Sequence, residues 1–141
     1  MKEGLIDNMS YQELTKEAFI AQKKAYAPYS NYHVGAAILL DNGQIIHGCN
    51  IENAAYGSTM CAERNAIYST YCQGYQKDQI KALAIVGSGG DIIKPCGACL
   101  QVIVELLDAN TPIILSNQEK SIEVTIKDLL PYAFTGEDLY V

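Results

Sequence analysis

The sequence predicts an α/β sandwich, in which a sheet packs against helices. Apolar residues recur at helical spacing in three segments, 11–25, 61–71 and 95–107. Short apolar runs bounded by turn residues lie between these segments. No repeat, low-complexity tract or linker interrupts the 141 residues. Strands that alternate with helices form one layered unit, so we expect a single domain over 1–141.

The first element is a helix. Ser10 and Glu13 have the spacing of a capping box, and apolar residues then follow every three or four positions. We therefore expect the helix over 11–25. Pro28 falls in the loop that ends it.

The middle of the chain alternates between strands and helices. Segment 33–50 is predicted to form two strands joined by an Asp-Asn-Gly turn at 41–43, which is the strongest hairpin signal in the chain. A loop leads to the helix at 61–71. A buried strand is expected at 80–89, and the next helix over 95–107.

The C-terminal part adds two strands and a short helix. Segment 111–117 is a short apolar run, and a last strand begins at Ser121. A short helix is expected from Thr125, and Pro131 stops it. The predicted sheet therefore has five strands.

The composition excludes several classes of function. The net charge is −6 and the isoelectric point is near 4.8, and no basic run exceeds the pair Lys23 and Lys24, which argues against a nucleic-acid partner. No apolar run reaches the roughly 20 residues of a membrane span. The N-terminal residues lack the apolar segment of a secretory signal. We expect a cytoplasmic protein that acts on a small neutral or cationic molecule.

Three cysteines have the spacing of a metal site. The chain has five cysteines, an odd number that argues against a disulfide framework. Cys61, Cys96 and Cys99 each lie at the start of a predicted helix, where the helix dipole favours the thiolate. Three thiolates could bind zinc at about 2.3 Å each and leave the fourth tetrahedral position open, as catalytic zinc sites do.

A fourth protein ligand would instead make the site structural. Cys72 lies more than two helical turns from Cys61, too far along the helix to join it. Cys49 is expected to be a small buried apolar residue, although a ligand role stays open. His33 and His47 fall in the hairpin strands, where half-exposed positions are the simpler interpretation.

Glu63 has two interpretations on spacing alone. Two residues after Cys61, it could face the open zinc position and move protons between a bound water and a substrate nitrogen. A glutamate in the first turn of a helix also suits the helix dipole without any catalytic role. The spacing does not decide between them.

Five ordered blocks of the sequence have a combined pattern that is more specific than any one motif. These blocks are YAPYSNYHVGAAI, GCNIENAAY, CAERNA, PCGACLQVIVEL and LLPYAFTGEDL. Together they resemble the small homotetrameric zinc-dependent cytidine deaminases of the three-cysteine type. They keep the order and approximate spacing of the family over most of residues 26–139. The resemblance implies a three-layer α/β/α sandwich around a mixed five-stranded sheet.

The resemblance also implies the chemistry of the site. Cys61, Cys96 and Cys99 would hold one Zn²⁺ per chain, as in deaminases of this signature. Glu63 would protonate N3 of the pyrimidine while zinc-bound hydroxide attacks C4, and would then pass a proton to the amino group that leaves as ammonia. The implied reaction is the hydrolytic deamination of cytidine and 2′-deoxycytidine in pyrimidine salvage, by a hydrolase acting on C–N bonds of cyclic amidines.

The implied substrate contacts come from two subunits of a homotetramer. Within one chain, Asn50 and Glu52 would bind the ribose 3′-hydroxyl, and Ala62 the base. Tyr32 falls where the family has an aromatic residue on the pyrimidine. Residues lent by a neighbouring subunit would be Ala54, Tyr56 and Phe134. Independently, the carboxylate of Glu52 would repel a 3′-phosphate, which favours a free nucleoside over a nucleotide chain.

Arg64 is expected to donate hydrogen bonds to the thiolates and so withdraw charge from a zinc site of net charge −1.

The sequence departs from the family at four positions. Leu100 replaces a customary arginine, Tyr32 a commoner phenylalanine, Tyr132 a glycine, and Lys94 a serine.

Three alternatives remain beside the cytidine deaminase. A structural zinc protein would need four protein ligands and no role for Glu63. A thiol–disulfide protein would use Cys96 and Cys99 and carry no tightly bound metal. Within the deaminases, a relative could act on a modified or antibiotic cytosine nucleoside.

Overall fold

The computed structural model describes the backbone of residues 2–139 and the side chains of residues 11–139. The helices are α1 (Lys2–Gln22), α2 (Ala62–Cys72), α3 (Gly97–Leu106), α4 (Ile126–Leu129) and α5 (Gly136–Leu139). The strands are β1 (Val34–Leu40), β2 (Ile45–Cys49), β3 (Ile80–Gly87), β4 (Ile113–Ser116) and β5 (Ser121–Val124).

The five strands form one mixed sheet in the order β2-β1-β3-β4-β5. Strands β3 and β4 run parallel, and the other neighbouring pairs are antiparallel. The predicted hairpin is confirmed: Gly43 has φ +86°, a left-handed conformation that glycine adopts without strain, and its N–H donates to the Leu40 carbonyl at 3.0 Å. The parallel pair is connected by α3, as parallel strands require a crossover.

Helices cover both faces of the sheet. On one face α1 packs Leu14 and Ala18 against small residues of β1 and β3, such as Ala37 and Ala84. On the other face α2 and α3 bury the larger apolar cluster, which includes Ile67. The predicted three-layer α/β/α sandwich around a mixed five-stranded sheet is therefore confirmed. In the part of the chain that the structure describes, no helix is long and apolar enough to cross a membrane.

The bounds of the first helix differ from the prediction. Helix α1 runs from Lys2 to Gln22, so it does not begin after Ser10 and it ends before Ala25. The side chain of Ser10 lies outside the described side chains. A capping box is a local signal, and it does not stop a helix whose preceding residues also continue the helical backbone. After Gln22 the chain tightens, because Lys24 N–H bonds to the carbonyl three residues back at 3.0 Å.

Close packing between β2 and α2 fixes the start of that helix. A Cβ atom at Gly48 would overlap the carbonyl oxygen of Ala62 and the backbone nitrogen of Ala66. The missing side chain of Gly48 therefore lets the first turn of α2 rest directly on the strand. This contact positions Cys61 and Glu63 relative to the sheet.

Candidate active site

Two helix N-termini bring the three cysteines together. Cys61 is the N-cap residue of α2 and Cys96 that of α3, both with extended backbone, while Cys99 lies in the first turn of α3. The Sγ atoms of Cys61 and Cys96 are 3.8 Å apart, and those of Cys96 and Cys99 are 3.5 Å apart. All three sulfurs lie within 4.8 Å of one another.

This cluster fits a tetrahedral zinc ion. Zinc–sulfur bonds of about 2.3 Å at tetrahedral angles place the sulfurs about 3.8 Å apart, close to the observed sulfur–sulfur distances of 3.8 and 3.5 Å. Among the described side chains, no fourth cysteine, histidine or carboxylate joins the cluster. The donor set of three thiols therefore suits a metal with one position left for another ligand.

The other candidate ligands lie elsewhere. Cys72 is exposed, and Cys49 is half-buried rather than buried as predicted, because it closes strand β2. His47 lies in β2 as predicted, and its Nε2 is 2.7 Å from Glu17 Oε1 on α1. His33 lies one residue before β1, not within it, and its N–H donates to Ser88 Oγ at 3.0 Å.

The pKa values of Cys61 and Cys99 are shifted in opposite directions. The neighbouring Cys99 thiol, followed by Arg64 and Cys96, lowers the pKa of Cys61 to about 5. The proximity of Cys61, together with burial, raises the pKa of Cys99 far above its ordinary value. The cluster thus already stabilises one thiolate, at the N-terminus of α2.

Arg64 lies beside this thiolate. Its Nη2 donates to Cys61 Sγ at 3.2 Å, and it is the only arginine in the chain. Its Nε is buried and has no hydrogen-bond partner among the described residues. Leu100, at the position where the resemblance implies a second arginine, packs against the larger apolar cluster instead. Arg64 is therefore the only guanidinium that can offset the charge of the thiolates.

Glu63 is almost fully buried next to the cluster, with 3% of its surface exposed. Burial raises the pKa of its carboxyl to about 7, and the negative charge of Cys61 adds to the rise. A carboxyl that titrates near neutrality can both accept and donate a proton under ordinary conditions. This setting favours the acid/base interpretation over a simple helix-dipole role.

A cavity of about 580 Å³ opens onto the cluster. Eight of the site residues predicted from the sequence line it, namely Tyr32, Asn50, Glu52, Tyr56, Cys61, Ala62, Glu63 and Cys96. Ala54 and Phe134 do not line it, and both are exposed on their own chain. Lys94, which stands in place of the expected serine, also lies on its wall, as does Asp91, which the sequence did not indicate.

Asn50 and Glu52 also hold the loop that precedes β1. Asn50 Nδ2 donates to the Tyr32 carbonyl at 2.7 Å, and Asn50 Oδ1 accepts from Val34 N–H at 2.9 Å. Glu52 accepts hydrogen bonds from the backbone of Tyr29 and from both the N–H and the hydroxyl of Ser30. The bond from the Ser30 hydroxyl is the main cause that lowers the pKa of Glu52, so this carboxylate stays ionised.

Ser30 is a site residue that the sequence reasoning missed. Its hydroxyl donates to Glu52 and accepts from Tyr32 N–H at 3.0 Å. A serine hydroxyl that accepts a hydrogen bond from the backbone N–H two residues later is a known turn motif. The serine in this proline-containing loop could therefore have indicated the turn. Its partner Glu52, 22 positions away, could not be read from that local pattern.

The segment that carries Phe134 lies outside the cavity of its own chain. Phe134 is 56% exposed, and its carbonyl accepts from Gln101 Nε2 at 2.7 Å. Tyr132 is fully exposed and has φ +56°, a left-handed conformation that is strained for a tyrosine. The residue therefore departs from the expected glycine at a position where glycine would fit without strain.

Comparison with known proteins gives a consistent result. A family model described as the cytidine and deoxycytidylate deaminase zinc-binding region matches residues 9–115. The cytidine deaminase of Halalkalibacterium halodurans is 47% identical over 132 residues, which cover 93% of this chain and 98% of that protein.

Two further relatives mark the range of similarity. The crystal structure of cytidine deaminase from Burkholderia pseudomallei is similar with a TM-score of 0.84 at 45% identity, covering 87% of this chain and 98% of that one. The blasticidin-S deaminase of Bacillus cereus is 30% identical over 136 residues, covering 91% of this chain and 96% of that protein. The three-thiol cluster, the fold and these matches agree, and the chain belongs to the zinc-binding cytidine and deoxycytidylate deaminase family.

Proposed function

We propose that this protein catalyses the hydrolytic deamination of cytidine and 2′-deoxycytidine, with water consumed and uridine or 2′-deoxyuridine and ammonia released. The observation that carries the proposal is the buried carboxyl of Glu63, beside three clustered thiols, on the wall of a cavity of about 580 Å³. The relatives named cytidine deaminase support the choice of substrate.

Cys61, Cys96 and Cys99 would hold one zinc ion, which supplies the Lewis acidity that makes a water molecule nucleophilic near neutral pH. Three thiolates donate much charge to a metal, and this lowers its power to acidify water. Arg64 counters the effect because its Nη2 donates to Cys61 Sγ and withdraws part of that charge.

Glu63 moves the protons. Its carboxylate takes a proton from the attacking water and gives it to N3 of the pyrimidine as C4 is attacked. The carboxylate then takes the second proton of that water, from the new hydroxyl group on C4, and gives it to the exocyclic amino group. The C4–N bond breaks, ammonia leaves, and the C4 carbonyl of uridine forms. A pKa near 7 suits both transfers, since neither the acid nor the base form is strongly favoured at neutral pH.

The nucleoside is bound by residues of the same cavity. Asn50 and Glu52 bind the ribose 3′-hydroxyl through donor and acceptor positions that their hydrogen bonds to the loop do not use. Ala62 and Tyr32 contact the base. The ionised Glu52 repels a 3′-phosphate, so the free nucleoside is preferred.

The proposal extends to assembly and location. We propose one catalytic domain over 1–141, a cytoplasmic location, and a homotetramer in which a neighbouring subunit contributes Ala54, Tyr56 and Phe134. The exposure of Ala54 and Phe134 on their own chain supports a role in a neighbouring site. Tyr56 differs from them because it also lines the cavity of its own chain.

A spectrophotometric panel of cytidine, 2′-deoxycytidine, cytosine and CMP, combined with metal analysis, tests the proposal. We expect about one zinc ion per chain and turnover of the two nucleosides. Glu63→Gln should retain zinc and lose turnover by about 100-fold or more, whereas Glu123→Gln, on exposed strand β5, should be unaffected. Full turnover in Glu63→Gln would refute the mechanism. Zinc bound without any turnover would favour a structural metal site.

The panel should also include blasticidin S. Lys94 on the cavity wall and the relative named blasticidin-S deaminase make an antibiotic cytosine nucleoside the second candidate. Its identity of 30%, against 47% for a cytidine deaminase, favours the plain nucleosides. A kcat/KM higher for blasticidin S than for cytidine would reverse this order.

A further inference from the structure

Gly87 ends strand β3 at a point where a side chain would meet Tyr32. A Cβ atom there would overlap Tyr32 Oη, and it would lie 3.0 Å from Ile93 Cβ. The backbone of Gly87 does not adopt the left-handed conformation, so any residue could follow its path. Glycine is therefore needed at this position for space, and the phenolic hydroxyl takes up that space.

The backbone of Tyr32 is held by the side chains of Ser30, Asn50 and Glu52, which we call the loop clamp. Its N–H donates to Ser30 Oγ at 3.0 Å, and its carbonyl accepts from Asn50 Nδ2 at 2.7 Å. Ser30 is bonded in turn to Glu52. The backbone of Tyr32 is thus fixed by the residues proposed to bind the ribose, while its hydroxyl is seated over Gly87.

The ring between these two ends lies on the wall of the nucleoside cavity. Its edge also lies close to the glycine-rich loop that follows β3, residues 88–90. A Cβ atom at Gly89 would lie 3.2 Å from Tyr32 Cε1. Burial and the charge of Glu63 raise the pKa of Tyr32, so the hydroxyl stays protonated at neutral pH. The ring therefore lies between the loop that precedes β1 and the end of β3.

We infer that Gly87 is a positioning residue for the nucleoside, which acts through Tyr32. The pair sets the position of the ring on the cavity wall, and this inference rests on the proposed nucleoside deamination. Removing the hydroxyl leaves a gap over Gly87 and frees the ring, which weakens substrate binding more than the chemical step. Adding a methyl group at Gly87 displaces the ring, unless the hydroxyl is removed at the same time.

A double-mutant cycle on the zinc-loaded protein tests the pair. Gly87→Ala alone should lower Tm by about 3–9 °C, the range expected for overpacking in a domain of this size. Tyr32→Phe alone should raise KM about threefold to tenfold with a smaller change in kcat. The double variant should recover at least half of the Tm loss, and its KM should match that of Tyr32→Phe. The remaining loss reflects the contact with Ile93.

Two control variants separate this contact from general effects. Gly90→Ala lies in the same loop and meets no atom within 4 Å, so its Tm should not fall. Tyr26→Phe removes a hydroxyl from a tyrosine that is 57% exposed and outside the cavity, so its KM should not change.

The readouts distinguish this inference from the proposed function. The Tm measurements need no substrate. If the double variant recovers Tm but the wild-type protein turns over no nucleoside, the proposed function is refuted and the steric pair is supported. Additive Tm losses in an active enzyme would overturn the pair alone. A KM in Tyr32→Phe equal to that of the wild type would overturn the positioning role, even if the Tm losses compensate.

Discussion

Replacing Glu63 with glutamine should stabilise the metal-free protein above neutral pH, although the same change removes the proposed proton carrier. Burial raises the pKa of this carboxyl, so the folded state favours the neutral form. In the unfolded chain the carboxyl ionises at its ordinary, lower pKa. Folding at high pH must therefore either bury a charge or take up a proton, and both cost free energy.

The size and pH range of this cost follow from the two pKa values. A rise from 4.5 to about 7 corresponds to roughly 3 kcal/mol, at about 1.4 kcal/mol for each pKa unit. The cost is absent below the unfolded pKa, grows as the pH rises between the two values, and is complete above the folded pKa. Glutamine has nearly the same shape and no charge, so Glu63→Gln removes the cost.

Urea unfolding of the reduced, chelator-treated protein at about pH 5 and about pH 8 measures this difference. We expect the variant to be more stable than the wild type by roughly 3 kcal/mol at the higher pH, and by much less at the lower one. Glu52→Gln is a matched control with the opposite sign. Glu52 is equally buried, but the hydrogen bond from the Ser30 hydroxyl lowers its pKa, so its replacement should destabilise the protein at the higher pH. Equal gains of Glu63→Gln at both pH values would refute the reasoning.

Three further predictions concern the surroundings of the site. Arg64→Ala should weaken zinc binding about 10- to 100-fold in chelator competition, because the bond to Cys61 Sγ is lost; an unchanged affinity would show that the guanidinium does not tune the cluster. Gly48→Ala should lower the free energy of unfolding by about 1–3 kcal/mol in urea titration, because the new methyl group overlaps the first turn of α2. Tyr132→Gly should raise it by about 0.5 kcal/mol, since the relief of about 1–2 kcal/mol of left-handed strain exceeds the added chain entropy of glycine. Tyr132→Ala should give no such gain, and an equal gain would refute the strain argument.

The elements that the sequence predicted well depend on local signals. The Asp-Asn-Gly turn predicted the hairpin. The helical patterns that begin near Cys61 and Cys96 predicted that both residues lie at the start of a helix, and the structure has them at the N-cap positions. The start of α1 was predicted wrongly because the signal at Ser10 and Glu13 is equally local. The residues that precede Ser10, together with the tertiary context, determined where the helix begins.

The parts of the site that could not be predicted depend on contacts between distant segments. Glu52 bonds to Ser30 across 22 positions, and the hydroxyl of Tyr32 meets Gly87 across a still longer separation. No periodicity or spacing encodes such pairs, because they exist only once the sheet is assembled. For the same reason the sequence placed Asn50 and Glu52 near the sugar without indicating that their side chains also hold the loop.

The position of the only arginine gives the chain a single cleavage site for an arginine-specific protease. That bond, between Arg64 and Asn65, lies in the first turns of α2 beside the thiol cluster. A protease binds its substrate in an extended conformation, so the bond can be cut only after this part of the helix has opened. The rate at which fragments 1–64 and 65–141 appear would therefore report how often this part of α2 opens beside the proposed zinc centre, either locally or in global unfolding.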